Sequence, residues 1–390
     1  MADDIGRREF VKRGAVAGAI AATGLPTHLT SAASAIADAP TPASSALVGR
    51  WLDSKTFCLS EYDALTPSMT FSARTASAAA TWQKRARKRL IERLGGFPAV
   101  RAPLNPEVLE RVEFSTYTRE RIVFDTRSNL SAIGYLLIPK SATGRTPAVL
   151  CFSGHGRGLS DILGLANDGT PTQDRNATYA KAYAMQCVEQ GYVTFAVEQL
   201  AFGTRRDDAA QKAGPATESC RPAACAAVLL GQTMAGWRVW DAMRAIDYLS
   251  TRREVDATRV ATLGASGGGT TSLLTGAVDS RVKVTVVSAY FNTFRDSIMS
   301  ISHCPDNYVP GLLNDMEMFD LAGLVAPRAL FVESGRNDRI FPVAGSERAA
   351  EKARSIYDTF GVPDQMGSAV HEGAHEFSGV AAFEFMKRVL

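Results

Sequence analysis

The stretch "RVATLGASGGGTTSLL", residues 259–274, decides the fold, because an apolar run passes through one serine among four glycines into a helix-like segment. Gly264 to Gly268, with Ser266 at the centre, gives the pattern G-x-S-x-G of a strained strand-to-helix turn that presents a nucleophile. A phosphate loop would need G-x-x-x-x-G-K-[ST] and a dinucleotide loop G-x-G-x-x-G, and the stretch contains neither. We therefore predict Ser266 as a nucleophile rather than as part of a phosphate loop or a plain turn.

The rest of the chain alternates between short apolar runs and helix-like runs. Several apolar runs are continuous, which is typical of strands buried on both faces of a parallel sheet. Strands that alternate with helices indicate crossover units. The predicted strands are 121–126, 132–139, 147–154, 192–198, 259–265, 282–289, 328–334 and 366–371. The predicted fold class is α/β, with three layers and a mostly parallel central sheet.

Two connections, 200–231 and 290–326, are longer than a compact fold needs. Insertions after the strands of an open sheet lie over its carboxyl edge, where ligands bind. We expect these insertions to form the walls of a substrate pocket, with His155, Tyr290 and Tyr308 among the lining residues. The two tyrosines would serve equally well as core residues of the insertions.

A serine hydroxyl needs a base, and the base needs an orienting acid. His375, in "HEGAHEFSG", follows the last predicted strand and is favoured as the base over His371, which ends that strand. Asp338, on the turn in "FVESGRNDRIFP", is favoured as the acid over Glu333 inside the strand. The order Ser266, Asp338, His375 is the order of an α/β-hydrolase triad.

Attack on a carbonyl creates an oxyanion, which N–H groups must stabilise. The N–H of Gly267, directly after the predicted nucleophile, is one expected donor. The loop "GHGRG" (154–158) follows a predicted strand and offers the N–H of Gly156 or Arg157 as the second. The alternative is a tight turn in which His155 has a structural role.

The N-terminal segment "GRREFVKRGAVAGAIAATGLP" has a charged start, a short apolar stretch and small residues after it, as signal peptides do. Its paired arginines resemble a twin-arginine export signal. We therefore expect a periplasmic or secreted protein with no membrane contact beyond the export machinery. The predicted organisation is a signal peptide over 1–37, a linker over 38–47, an N-terminal helical extension over 48–110 and a catalytic domain over 111–390.

The formal net charge of +3 is too small to suggest a nucleic-acid partner. The six cysteines match no zinc-binding spacing, so we predict neither a metal site nor another cofactor. Cys151 lies in an apolar run and is predicted as a buried thiol. Cys220 with Cys225 is the nearest candidate pair, although the pairing among Cys58, Cys220, Cys225 and Cys304 stays open. Oligomeric state cannot be read from the sequence.

Together these motifs resemble the α/β-hydrolase superfamily over roughly residues 110–390, and within it the dienelactone hydrolase and acetyl xylan esterase-like branch. The resemblance implies cofactor-free hydrolysis of carboxylic esters, often acetyl or other acyl esters of carbohydrates. It also implies Ser266 as nucleophile, His375 as base and Asp338 as acid. Glu198 stands where an aspartate would be more familiar. The resemblance rests on "GHGRG", "EQLAFGTRR", "WDAMRAIDYLSTRREVDATRVATLGASGGG", "CPDNYVPGLLNDMEMFDLAGLVAPRALFVESGRNDRIFP" and "HEGAHEF".

The sequence therefore predicts an exported serine hydrolase acting on a small-molecule or carbohydrate ester. One alternative is a peptidase or amidase on the same scaffold, which an additional module that gates peptides would favour. Another is a non-catalytic carbohydrate-binding relative, which would be expected to lack a member of the triad.

Overall fold

A computed structural model describes most of the chain beyond its N-terminal segment. Residues Asp53–Leu390 form one compact unit. The predicted signal peptide (1–37) and linker (38–47) lie outside the described residues. The described residues are 50, 52–166, 169–172, 174–215 and 217–390.

A nine-stranded sheet with the order β1-β2-β3-β5-β4-β6-β7-β8-β9 forms the centre of this unit. Three neighbouring pairs at the N-terminal side are antiparallel, and the five pairs from β5 through β9 are parallel. The prediction of a mostly parallel sheet is confirmed. The strands are β1 (Glu107–Glu113), β2 (Tyr117–Arg127), β3 (Leu130–Pro139), β4 (Thr146–Phe152), β5 (Val193–Val197), β6 (Val255–Ala265), β7 (Val282–Ser288), β8 (Ala329–Gly335) and β9 (Met366–His371).

Helices cover both faces of the sheet, which gives the predicted three layers. The helix that begins at Met234 has a side-chain cap, because Thr233 accepts a hydrogen bond from Gly236 N at 2.9 Å and satisfies one of the first N–H groups. The helices are α1 (Ser54–Ala64), α2 (Ala76–Arg93), α3 (Leu159–Leu163), α4 (Tyr183–Glu189), α5 (Asp208–Ala213), α6 (Cys220–Leu229), α7 (Met234–Leu249), α8 (Gly267–Val278), α9 (Asp320–Val325), α10 (Val343–Thr359) and α11 (Val380–Val389).

The continuous apolar runs of the parallel strands contribute to hydrophobic cores on both faces of the sheet. Successive side chains of a strand point to opposite faces. Val286 therefore belongs to the core under α4 and α11, while its neighbour Val287 belongs to the core under α8 and α10. Both valines are fully buried. Burial on two faces explains why these strands show no polar alternation.

The two insertions meet at the carboxyl edge of the parallel strands. A disulfide joins Cys220, at the start of α6, to Cys304 in the second insertion. The candidate pairing of Cys220 with Cys225 is therefore wrong, and Cys225 is a free, exposed thiol. Cys225 lies five positions beyond Cys220 on the same helix, and its side chain is exposed. The buried free thiol of Cys151 is as predicted. Among the described residues, no helix has the length and apolar character needed to cross a membrane.

Candidate active site

Ser266 occupies a sharp turn between the end of β6 and the start of α8. Its backbone has φ +56° and ψ −126°, a conformation that side-chain-bearing residues rarely adopt. The Ser266 N–H donates to Ser288 O of β7 at 3.0 Å, and the Ser266 carbonyl accepts from Thr270 N at 3.1 Å. These bonds to a neighbouring strand and to the following helix hold the strained turn in place.

The glycines around Ser266 are required by close packing. A Cβ added to Gly264 would contact the Gly268 carbonyl, and a Cβ added to Gly268 would contact the Phe152 carbonyl at the end of β4. A Cβ on Gly269 would lie 2.8 Å from Tyr290 Cβ. The pattern G-x-S-x-G therefore reflects how tightly α8 approaches the sheet.

His375 and Asp338 are hydrogen-bonded, with 2.8 Å between His375 Nδ1 and Asp338 Oδ2. The other carboxylate oxygen of Asp338 accepts from Ile340 N at 2.8 Å and from Phe341 N at 3.0 Å. The Phe341 and Tyr179 rings lie nearly parallel to the imidazole, with centroids at 5.7 and 6.0 Å. Both the carboxylate and the ring are thereby held in one orientation.

Glu333 and His371, the less favoured acid and base, have other partners. Glu333 Oε1 accepts from Ser288 Oγ at 2.8 Å and from Ser378 N at 2.9 Å, and Glu333 Oε2 accepts from Gly379 N at 3.1 Å. His371 Nδ1 accepts from Gly373 N at 3.2 Å. Glu333 thus supports the chain just beyond His375 rather than orienting the imidazole itself.

Ser266 and His375 line one cavity of about 310 Å³, here called the Ser266 cavity. In the described part of the chain the two side chains are not hydrogen-bonded to each other, and such bonds often tighten when substrate binds. Burial lowers the pKa of His303 below its ordinary value, so this wall residue stays neutral at pH 7. The lining residues are His155, Tyr179, Ser266, Ile301, Ser302, His303, Cys304, Ile340 and His375.

Of the three predicted pocket residues, His155 lines the Ser266 cavity and the two tyrosines do not. Tyr290 is buried in the core, 5.2 Å from Phe341 between ring centroids. Tyr308 lines a separate cavity of about 340 Å³, and its hydroxyl donates to Ile298 O at 2.9 Å. The pocket prediction is wrong for both, because insertion residues fold onto each other as well as onto the site.

The loop 154–158 approaches Ser266 through its first two residues. A Cβ added to Gly154 would lie 3.0 Å from Ser266 Cβ, and one added to Gly267 would lie 3.2 Å from His155 Nδ1. The Arg157 N–H instead donates to Asp161 Oδ2 at 2.8 Å. The prediction of Arg157 as an oxyanion donor is therefore wrong, because a carboxylate already accepts from its N–H.

Gly156 of the same loop also faces Asp161. At φ +145° its backbone favours glycine, and an added Cβ would collide with the Asp161 carboxylate. The Arg157 guanidinium closes this turn, with 2.8 Å between its Nε and Asp161 Oδ1. Asp161, which the sequence did not single out, therefore fixes the second half of the loop.

Glu198 is a second residue whose contribution the sequence did not reveal. It is buried and accepts from Leu159 N at 3.1 Å and Thr204 N at 3.4 Å. A side chain at Gly158 or Gly203 would collide with its carboxylate. Burial raises the pKa of Glu198 to about 7. The carboxyl group thus joins the loop 154–158 to the first insertion. The one hint in the sequence was that "EQLAFGTRR" has a glutamate where an aspartate would be more familiar.

The insertions also assemble a group of side chains that could hold a metal ion. It consists of His155, Cys220, Cys304 and Asp306, whose ligand atoms lie within 4.8 Å of one another. His155 Nε2 lies 3.3 Å from Asp306 Oδ2 and 3.6 Å from Cys220 Sγ. Sequence spacing could not reveal this group, since its members come from three separate segments.

Comparison with known proteins places this architecture in a family. The model of the Abhydrolase family matches residues 37–360, which include Ser266 and Asp338 and end before His375. "Putative hydrolase YtaP" of Bacillus subtilis (strain 168) is 28% identical over 287 residues, 71% of this chain and 89% of that protein.

Solved structures share the fold at low sequence identity. A "putative acetyl xylan esterase" from Bacteroides fragilis superposes with a TM-score of 0.70 at 18% identity, covering 89% of this chain and 92% of that one. A glucuronoyl esterase from Solibacter usitatus gives a TM-score of 0.61 at 18% identity, covering 83% and 98%. These structures establish the predicted α/β-hydrolase fold.

Proposed function

The chain belongs to the Abhydrolase family, and from that premise we propose that it is an exported serine hydrolase that cleaves carboxylic esters. Ser266 is the nucleophile, His375 the base and Asp338 the acid that orients the base. The observation that carries the proposal is the His375–Asp338 hydrogen bond of 2.8 Å beside a strained Ser266 in one cavity.

In the first half of the reaction, His375 Nε2 takes the proton of Ser266 as Oγ attacks the ester carbonyl. Asp338 accepts the hydrogen bond from Nδ1–H, which keeps Nε2 unprotonated before attack and stabilises the imidazolium afterwards. The imidazolium then gives its proton to the departing alcohol, and the acyl group stays on Ser266. Water enters and repeats the two proton transfers to release the acid.

The developing oxyanion needs two N–H donors. Gly267 N–H follows the nucleophile directly at the start of α8. We assign the second donor to the N–H of His155, with Gly156 N–H as the alternative, because the backbone at 154–155 is the part of the loop that approaches Ser266. Asp161 and Glu198 keep this loop in place.

The proposed substrate is a small-molecule or carbohydrate ester. The Ser266 cavity combines the apolar side chains of Ile301 and Ile340 with the polar side chains of Ser302 and His303. Such a mixed surface suits an acyl chain beside a hydroxylated alcohol. The structural neighbours described above include a "putative acetyl xylan esterase" and a glucuronoyl esterase, which supports the same substrate class, and no nucleic-acid partner is proposed.

The test is an ester panel that includes acetylated oligosaccharides, with amino-acid anilides assayed in parallel. Ser266→Ala is expected to lose at least about 10³-fold in kcat/KM, while Ser355→Ala, on the exposed side of α10, keeps wild-type activity. A serine-directed phosphonate should label wild type and fail to label Ser266→Ala. Substantial ester hydrolysis by Ser266→Ala would overturn the proposal, and faster cleavage of anilides than of esters would indicate an amidase.

Export is proposed from the N-terminal sequence, which lies outside the described residues. Replacing Arg7 and Arg8 by lysine in the full-length chain is expected to leave the protein in the cytoplasm of a host that recognises twin-arginine signals. Fractionation with antibody detection measures this. Unchanged export of the double variant would contradict a twin-arginine route.

A further inference from the structure

One wall of the Ser266 cavity contains a compact set of metal-ligand types. His155 comes from the loop after β4, Cys220 from the start of α6, and Cys304 and Asp306 from the second insertion. Cys220 and Asp306 are buried, and His155 and Cys304 line the cavity. Two sulfurs, one imidazole and one carboxylate form a donor set that suits Zn²⁺.

The distances within the set match a tetrahedral ion. Zn–S bonds of about 2.3 Å and Zn–N or Zn–O bonds of about 2.1 Å place neighbouring ligand atoms about 3.3–3.8 Å apart. His155 Nε2 lies 3.3 Å from Asp306 Oδ2 and 3.6 Å from Cys220 Sγ. The two sulfurs are joined as a disulfide in the structure, and as thiolates they would separate to about 3.7 Å around an ion.

We infer that the reduced chain binds one Zn²⁺ through Cys220 Sγ, Cys304 Sγ, His155 Nε2 and Asp306 Oδ2. With a phosphine as reductant, the disulfide, the phosphine and one water give two thiols and one phosphine oxide. Zn²⁺ then binds both sulfurs and releases two protons. The oxidised chain has the disulfide in place of the ion, so the same two insertions are joined in either state.

The surrounding charges suit a divalent ion. Arg238 is buried and forms an ion pair with Asp306. Two thiolates and the Asp306 carboxylate carry three negative charges, which Zn²⁺ and the guanidinium balance. The Glu218 carboxylate, 3.1 Å from Cys220 Sγ, adds a fourth negative charge, and Arg221 pairs with it at 3.8 Å. Thiolate and imidazole ligands also disfavour Mg²⁺ and Ca²⁺, which prefer oxygen.

The ion would act on the loop 154–158 through His155 rather than on the substrate. Nε2 faces the ligand set, while Nδ1 lies on the side of Gly267, where an added Cβ would come within 3.2 Å. Four protein ligands leave no open position, as in structural zinc sites. Zinc is therefore a clamp that holds the proposed oxyanion loop to the two insertions, and the triad chemistry does not require it.

The experiment uses the full chain treated with a phosphine reductant, then desalted without oxygen and titrated with Co²⁺ and with Zn²⁺. We expect one ion per chain, a thiolate-to-cobalt charge-transfer band, and a higher Tm with Zn²⁺. Cys304→Ser should lose the band and the stoichiometric zinc, whereas Cys225→Ser, on the same helix as Cys220, should keep both. Absence of stoichiometric metal in the reduced wild type, or its retention by Cys304→Ser, would overturn the inference.

A second variant separates metal binding from folding. His155→Gln keeps both cysteines and can form the disulfide, so its oxidised form should remain folded by circular dichroism. After reduction it should lose stoichiometric Zn²⁺. Full binding by this variant would overturn the assignment of the ligands. These readouts are independent of ester hydrolysis, so the inference and the proposed function can fail separately.

Discussion

The two sides of the Ser266 cavity are built in different ways. On one side, here called the elbow side, Ser266, Asp338 and His375 each lie within a few residues of the end of a parallel strand. On the insertion side, the loop 154–158 and residues of both insertions are held by contacts between distant segments, such as the Cys220–Cys304 disulfide. Strand ends fix the elbow side locally, while the insertion side depends on side chains that meet only after folding.

We therefore expect the elbow side to determine the chemical step and the insertion side to determine the shape of the cavity. The parallel strands bring the three proposed triad residues to one edge of the sheet, whatever covers that edge. We expect the insertion side to decide which substrates reach them. The buried carboxylates of Asp161 and Glu198 support this side. Substitutions on the elbow side should therefore reduce the rate, and those on the insertion side should first reduce stability and alter specificity.

The largest effect is expected at the acid of the elbow side. Asp338→Asn removes the charge that stabilises the His375 imidazolium and disturbs its tautomer, so kcat should fall about 10³–10⁴-fold. Steady-state kinetics on the best ester measures the loss. Asp358→Asn, exposed on α10, is the matched control. A loss below about tenfold would move the orienting role away from Asp338.

A smaller loss, in stability, is expected on the insertion side. Gly203→Ala places a Cβ against the buried Glu198 carboxylate at a φ of +46°, and should lower the free energy of unfolding by about 2–4 kcal/mol. Gly191→Ala is the control, because its φ is also positive, at +90°, but no atom lies within 4 Å of an added Cβ. Urea unfolding of both variants isolates the collision. Equal losses of unfolding free energy in the two variants would show that the Glu198 side chain can move away from the added Cβ at little cost.

The pH dependence of stability should follow the buried carboxyl groups of the insertion side. Burial raises the pKa of Glu198 to about 7 and of Glu317 to about 8, above the ordinary 4.5. Between pH 4.5 and 8 the folded chain binds more protons than the unfolded chain, so the free energy of unfolding falls as pH rises.

The fall should be on the order of 3 kcal/mol for Glu198 and 5 kcal/mol for Glu317, and it should level off above each folded pKa. Urea titrations at a series of pH values measure it. Glu317→Gln should flatten the plot of unfolding free energy against pH between pH 7 and 8, because the pKa of Glu317 lies above that of Glu198. A wild-type stability that rises steadily from pH 5 to 8 would contradict this account.

The smallest effect is expected at Tyr308, which lines the separate cavity. Tyr308→Phe removes its hydrogen bond to Ile298 O and should cost about 0.5–1 kcal/mol of stability. The value of kcat/KM should stay at the wild-type level, because Tyr308 does not line the Ser266 cavity. A marked change in KM would return this residue to the substrate pocket.

Sequence patterns predicted the parts of the fold whose signal is local. The apolar runs of β4, β5, β7 and β8 were recognisable because burial on two faces leaves few polar residues. β1 was not predicted, because its side chains are mostly exposed and the strand is held by backbone pairing with β2. Ser266, with its strand and helix on either side, is the same kind of local signal.

The misplaced residues depend on contacts that local patterns do not contain. The sequence predicted the Arg157 N–H as an oxyanion donor, but in the structure this N–H donates to the Asp161 carboxylate. Tyr290 packs against Phe341, about 50 positions further along the chain. Cys220 meets Cys304 across 84 residues rather than Cys225 on its own helix. Each error lies on the insertion side, or where an insertion meets the core.

The strand order also sets a length requirement on the chain. β6, β7, β8 and β9 are consecutive in the sheet, so the ends of β6 and β9 are about 14 Å apart. His375, four residues beyond β9, must return across this gap, and it does so over Gly335, where any side chain would collide with Ala374 O. Insertions and deletions between residues 371 and 375 should therefore be rare among homologous sequences, while the insertions 200–231 and 290–326 can differ in length between homologues.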